Sequence, residues 1–106
     1  MSADRYQPAP LDTSRVELPP EVAAVVERLA QNVHDTWARE RLADGWRWGP
    51  ARDDAARRHP SLVPYPELPD VERKYDRITV GETLKALLAL GFRIQAPDRG
   101  GRDAPP

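Results

Sequence analysis

NVHDTWARERLADGWRWGPARDDAARRHPSLVPY, residues Asn32 to Tyr65, holds all three tryptophans and both histidines of the chain. Its first third keeps a helical rhythm. From Gly45 onward the stretch is punctuated by Gly45, Gly49, Pro50, Pro60 and Pro64, which interrupt any long helix or central strand. The tract therefore reads as the end of a helix running into a loop built to hold a shape.

Working outward, Leu18-Pro19-Pro20-Glu21 opens that helix. Proline's fixed φ and missing N–H suit a first turn, and the glutamate suits the positive end of the helix dipole. Val22, Val25, Val26, Leu29, Val33 and Trp37 recur at spacings of three and four, so they share one face. The spacing predicts one long amphipathic helix from Pro20 to Asp44, stopped by Gly45.

Downstream, Leu68-Pro69-Asp70-Val71-Glu72 predicts one or two helical turns ending at Tyr75. Thr79-Val80-Gly81-Glu82 fits a capping box, in which the threonine oxygen and the glutamate each satisfy an orphan backbone N–H. A second principal helix is expected from Val80 to Leu90, closed by Gly91 and packed on the first through Val26, Leu29, Val33, Leu84, Leu87 and Leu88. Phe92-Arg93-Ile94-Gln95 alternates apolar and polar residues, which suits a short strand paired with extended chain near Val16. The fold class is mainly α, with two principal amphipathic helices, short connecting helices and room for a minor two-stranded β element.

The 106 residues suffice for one small domain, and a net charge of −1 removes the electrostatic footprint of nonspecific nucleic-acid binding. There is no cysteine, so disulfides, thiolate nucleophiles and zinc sites with sulfur ligands are excluded. No apolar run approaches the roughly 20 residues that cross a bilayer, and the N-terminus lacks a signal-peptide layout, so a cytoplasmic, membrane-free protein is expected. Residues 1–5 and 96–106 are rich in Pro, Gly and charge and read as mobile tails around a domain at 6–95.

Five residues of the tract are candidates for ligand binding. In an extended backbone Trp46 and Trp48 would point to one side, and Trp48 offers a π-face for a flat ligand; core packing is the competing reading of both. Arg52 carries a fork that clamps carboxylate or phosphate, with Asp53 to orient it; equally, one of Asp53 and Asp54 caps a short helix over Ala55 to Arg58. His59 and Tyr65 stand at the two ends of a proline-stiffened segment that suits the rim of a pocket. His34 and Trp37 read as structural. The histidines and aspartates show no compact metal-ligand spacing, and Ser61 lies in no nucleophile elbow, so neither a metal nor catalysis is expected.

The punctuation DTS, LPxE, NVHDxWA, GWxWGPxRDD, HPSLVPY, YDRxT and ETLKALLALG, spread over Tyr6 to Ile94, resembles the RyR domain, the repeat named for its tandem copies in ryanodine receptors. The single copy resembles the bacterial and phage forms. That resemblance implies a non-catalytic module suspected of sensing a nucleotide-derived small molecule, without a cofactor. It also implies a homodimer or a hetero-partner, because tandem repeats pair about a pseudo-twofold axis where this chain has one copy. A protein-interaction or scaffolding module without a ligand is the alternative.

Overall fold

The computed structural model describes residues 5–97. The chain is mainly helical, in the order α1 (Pro20–Ala23), α2 (Val26–Ala43), β1 (Arg47–Trp48), β2 (Arg58–His59), a single 3-10 turn (Tyr65–Glu67) and α3 (Asp70–Ala89). Helices α2 and α3 pack antiparallel, with Glu27 of α2 reaching Arg77 of α3 while His34 and Trp37 face Glu72 and Asp76. No helix among the described residues is long and apolar enough to cross a membrane.

The expected Pro20–Asp44 helix is broken. Val25 sits at φ −105°, ψ 5°, and its N–H bonds back three residues to Val22 rather than four, so a tight turn separates α1 from α2. This turns the buried face. Ala30 and His34 lie innermost on α2, while Val25 and Leu29, expected in the core, are more than a third exposed. The stop is as read: Gly45 takes φ +92°, and Gly45 N–H to Leu42 O with Trp46 N–H to Arg41 O closes a Schellman motif. The same pair of bonds recurs at Gly91 (φ +98°) and Phe92.

The larger correction concerns α3, which runs unbroken through Thr79, Val80 and Gly81. The capping box does not form. Thr79 uses its carbonyl to accept from the Thr83 hydroxyl, and Glu82 instead accepts from the hydroxyl of Thr13 at 2.7 Å. Burying Val80 against Ala30, Tyr65 and Leu68 holds the helix together across a site where a start signal and a glycine both argue for interruption. Partly buried Val26, Val33, Val63 and Leu84 surround that core, and Leu87 lies at its exposed margin.

Phe92 to Gln95 forms no strand and Phe92 is exposed; the Schellman turn at Gly91 takes the Phe92 N–H as its last bond. The β element lies elsewhere. β1 and β2 pair in parallel, Arg47 with Arg58 and Trp48 with His59. Upstream, Asp12 accepts from both the N–H and the hydroxyl of Ser14, shaping a turn that lays Thr13 against α3. The expected tail at 96–106 lies, beyond Pro97, outside the described residues, as do residues 1–4.

Candidate functional site

Where α2, α3 and the segment after β2 meet, they enclose a cleft of about 260 Å³. Aromatic rings form its walls: His34 and Trp37 from α2, His59 from β2 and Tyr75 from α3. Leu68 and the polar groups of Ser61, Glu72 and Asp76 complete the lining. Glu72, Tyr75 and Asp76 converge because positions i, i+3 and i+4 of a helix share a face. His34 and Trp37 do so by the same spacing on α2.

The rings touch in sequence. His34 stacks on Trp37 at 5.6 Å, Trp37 meets His59 edge-on at 5.0 Å, and His59 lies 6.2 Å from Trp46. Cations flank the outer end of this row. The Arg41 guanidinium sits 5.7 Å from the Trp37 ring and 4.9 Å from Trp46, and Arg52 lies 6.0 Å from Trp46.

Two hydrogen bonds settle which ring nitrogens carry protons. Nε2 of His34 lies 2.7 Å from the carbonyl oxygen of Val63, which only accepts, so Nε2 bears the hydrogen. The N–H of Ser61 donates to His59 Nδ1 at 3.0 Å, which places the hydrogen of the neutral His59 ring on Nε2. Burial, then the charges of Arg52 and Arg41, hold His59 below the usual imidazole range, and the neutral ring is favoured. Burial acts on Asp76 in the opposite sense, raising its carboxyl above the usual range. Glu72 accepts from the Ser61 hydroxyl at 2.6 Å.

Of the five residues expected to bind a ligand, the cleft includes His59. Trp48 is 54 % exposed on β1, while Trp46 is 8 % exposed. The two indoles do not form one wall, because Trp46 is tied into the helix cap rather than an extended strand. Arg52 is held by Asp54, not Asp53, through bonds of 2.7 and 3.3 Å. Asp53 instead accepts from the N–H of Ala56 and exchanges two backbone bonds of 2.9 Å with Arg58, closing a turn where a helix over Ala55 to Arg58 was expected. Tyr65 is buried behind the cleft and donates to Glu27 at 3.0 Å.

Comparison with known families matches residues 6–96 to the RyR domain. The chain belongs to the RyR domain family. In this RyR domain the aromatic tract between the helices supplies one wall of the cleft, and α3 supplies the other. Sequence reading missed Glu72, Tyr75 and Asp76 as a set because ending a helix at Tyr75 hides the phase that aligns Asp76 with Glu72. The signal was the i, i+4 carboxylate pair, legible once α3 is taken as continuous.

Proposed function

We propose that this RyR domain is a non-catalytic binding module that takes a small, planar, nucleotide-derived ligand in the cleft between α2, α3 and the His59–Leu68 segment. The observation that carries the reading is the meeting of aromatic rings from both helices with polar groups left over from folding in one cavity. A ring inserted beside Trp37 and Tyr75 would gain stacking area, and Arg41 and Arg52, which both act on His59 electrostatically, are the cations within reach of an anionic tail. Arg52 would have to leave Asp54 to serve such a tail. This assigns the base to the cleft and leaves Trp48, Asp53 and Tyr65 to shape its surroundings.

Mass spectrometry of small molecules retained by the purified protein tests this, with Tyr75→Ala as the comparison. Tyr75 is 64 % exposed, so its loss removes a wall of the cleft without emptying the core. Retention of one heterocyclic compound by the native chain and not by Tyr75→Ala is the expected result. Equal retention by both places the ligand elsewhere.

One observation favours a second reading, a module that pairs with another copy of itself. Val71, Tyr75 and Ile78 are 54, 64 and 46 % exposed and lie at i, i+4 and i+7, an uncovered apolar stripe along α3. A stripe of this kind meets its own copy across a twofold axis. Light scattering separates the readings: a dimer mass lost in Val71→Asp supports pairing, and a monomer mass near 12 kDa at all concentrations rejects it.

A further inference from the structure

The two ends of the cleft differ in charge. Its α3 wall carries the carboxylates of Glu72 and Asp76, and among the described residues no lysine or arginine lines the cavity. The arginines of α3 that neighbour them in sequence are committed elsewhere, Arg73 to Asp70 and Arg77 to Glu27. Among the described residues neither cleft carboxylate has an ion-pair partner. Burial raises the Asp76 carboxyl; His34 counters this, and the charge of Glu72 adds to it. Arg52 and Arg41 act instead on His59, at the outer end. Like charges at i and i+4 of a helix repel, and nothing among the described residues offsets that repulsion.

Hydrogen bonding does not select one base edge over another here. The Trp37 indole N–H, the Tyr75 hydroxyl and His59 Nε2–H are donors without a partner among the described residues. They stand opposite the acceptors of Asp76, Glu72 and His34 Nδ1, so edges of either kind find partners. The cleft does call for something other than bulk water, since His34 is 5 % exposed and its Nδ1 has no partner among the described residues. Charge is what remains unbalanced.

The aromatic lining shows where a cation would sit. Trp37 already has His34 stacked on it and the Arg41 guanidinium 5.7 Å from its centre. Tyr75 is 64 % exposed, and no ring or cation packs against it among the described residues. Its ring shares one face of α3 with both carboxylates. A cation over an aromatic face gains from the ring quadrupole, and gains more where water is excluded. We infer that the ring taken by the cleft is itself cationic, a pyridinium or an N-alkylated purine, seated on Tyr75 beside Glu72 and Asp76 and joined to an anionic group that meets Arg41 and Arg52. A neutral ring would stack but leave both carboxylates uncompensated. An alkylammonium would meet the carboxylates and bring nothing to the arginines. For a metal ion, no group of three or more suitable side chains exists among the described residues.

This rests on the cleft being the ligand site, and its test varies ring charge alone. Calorimetric titration would compare nicotinamide mononucleotide with its reduced form, which keeps the phosphate and has a neutral ring, and 1-methyladenosine monophosphate with adenosine monophosphate. In whichever ring size the cavity accepts, the cationic member should bind at least about tenfold more tightly than its neutral partner. That preference should shrink at least about threefold in Asp76→Asn and in Glu72→Gln, each first shown to unfold cooperatively. The native chain decides even where a variant fails to fold. A neutral member that binds as tightly as its cationic partner overturns the charge assignment; if Tyr75→Ala abolishes that binding, the cleft stands as the site. No heat from either cationic compound overturns the assignment too, whatever compound the retention experiment finds, as does a preference unchanged in both carboxylate variants.

Discussion

His34 of α2 donates its Nε2–H to the carbonyl oxygen of Val63, 29 residues further along the chain, at 2.7 Å. The bond ties the proline-stiffened segment to the helix and leaves Nδ1 as the accepting nitrogen of a ring that lines the cleft. His34→Leu keeps the bulk and leaves the Val63 carbonyl without its donor, so it should cost about 1–3 kcal/mol in urea unfolding. An unchanged midpoint would show that the bond contributes nothing.

Two glycines should respond oppositely to alanine. A Cβ at Gly81, inside α3, meets nothing within 4 Å, so Gly81→Ala should stabilise by about 0.8–1 kcal/mol through helix propensity alone. A Cβ at Gly49 would lie 2.6 Å from the Cβ of Arg58. Because the strand pairing fixes both backbones, Gly49→Ala should destabilise by about 1–3 kcal/mol. Thermal midpoints moving in the same direction for both would refute this account of the two sites.

His59 gives the domain an acid-side weakness. Its pKa is lower in the folded chain than the ordinary value of about 6.5 in the unfolded one. As pH falls below that value the unfolded chain takes up the proton first, and stability is lost until the folded pKa is passed. Burial is the main cause; Arg52 and Arg41 press in the same direction, while Glu72 and Asp54 oppose it. Plotted against pH, the unfolding midpoint of His59→Gln should fall less steeply between about pH 7 and 5 than that of the native chain. Parallel curves would remove His59 from the account.

Asp76 carries the opposite sign. Its folded pKa is raised, so the folded chain holds the proton longer, and stability declines as pH rises through the folded value. At neutral pH, Asp76→Asn should therefore raise the thermal midpoint of the ligand-free protein, and the gain should vanish at low pH where the native carboxyl is protonated. A lower midpoint at pH 7 would mean that the carboxylate is better satisfied than burial implies.

Helix stops were easier to read than starts. Gly45 and Gly91 each end a helix because the positive φ of the cap selects glycine, a preference written in one residue. The Thr79–Glu82 pattern misleads, since a capping box and a helix interior share the same residues and only the burial of Val80 decides between them. Trp46 and Trp48 diverge for a similar reason. Alternation along a strand predicts a shared side, but the fold of the preceding turn sets where Trp46 points. His59 was legible as a candidate because proline stiffening marks its segment, and the structure sets it on the wall of the cleft, whereas Asp76 depended on a helix phase fixed only by tertiary packing.

Antiparallel helices need only about 2–8 residues to join them, yet the connection between α2 and α3 spans residues 44–69. Its ends are pinned, Trp46 into the cap of α2 and Tyr65 and Leu68 into the core, while the turn at residues 54–57 hangs outside. A stretch anchored in this way, with one exposed turn, can drift in sequence at that turn without unseating the helix pair. Sequence variation between relatives, or in a laboratory library, would then concentrate in the turn at residues 54–57, with the frame inherited unchanged.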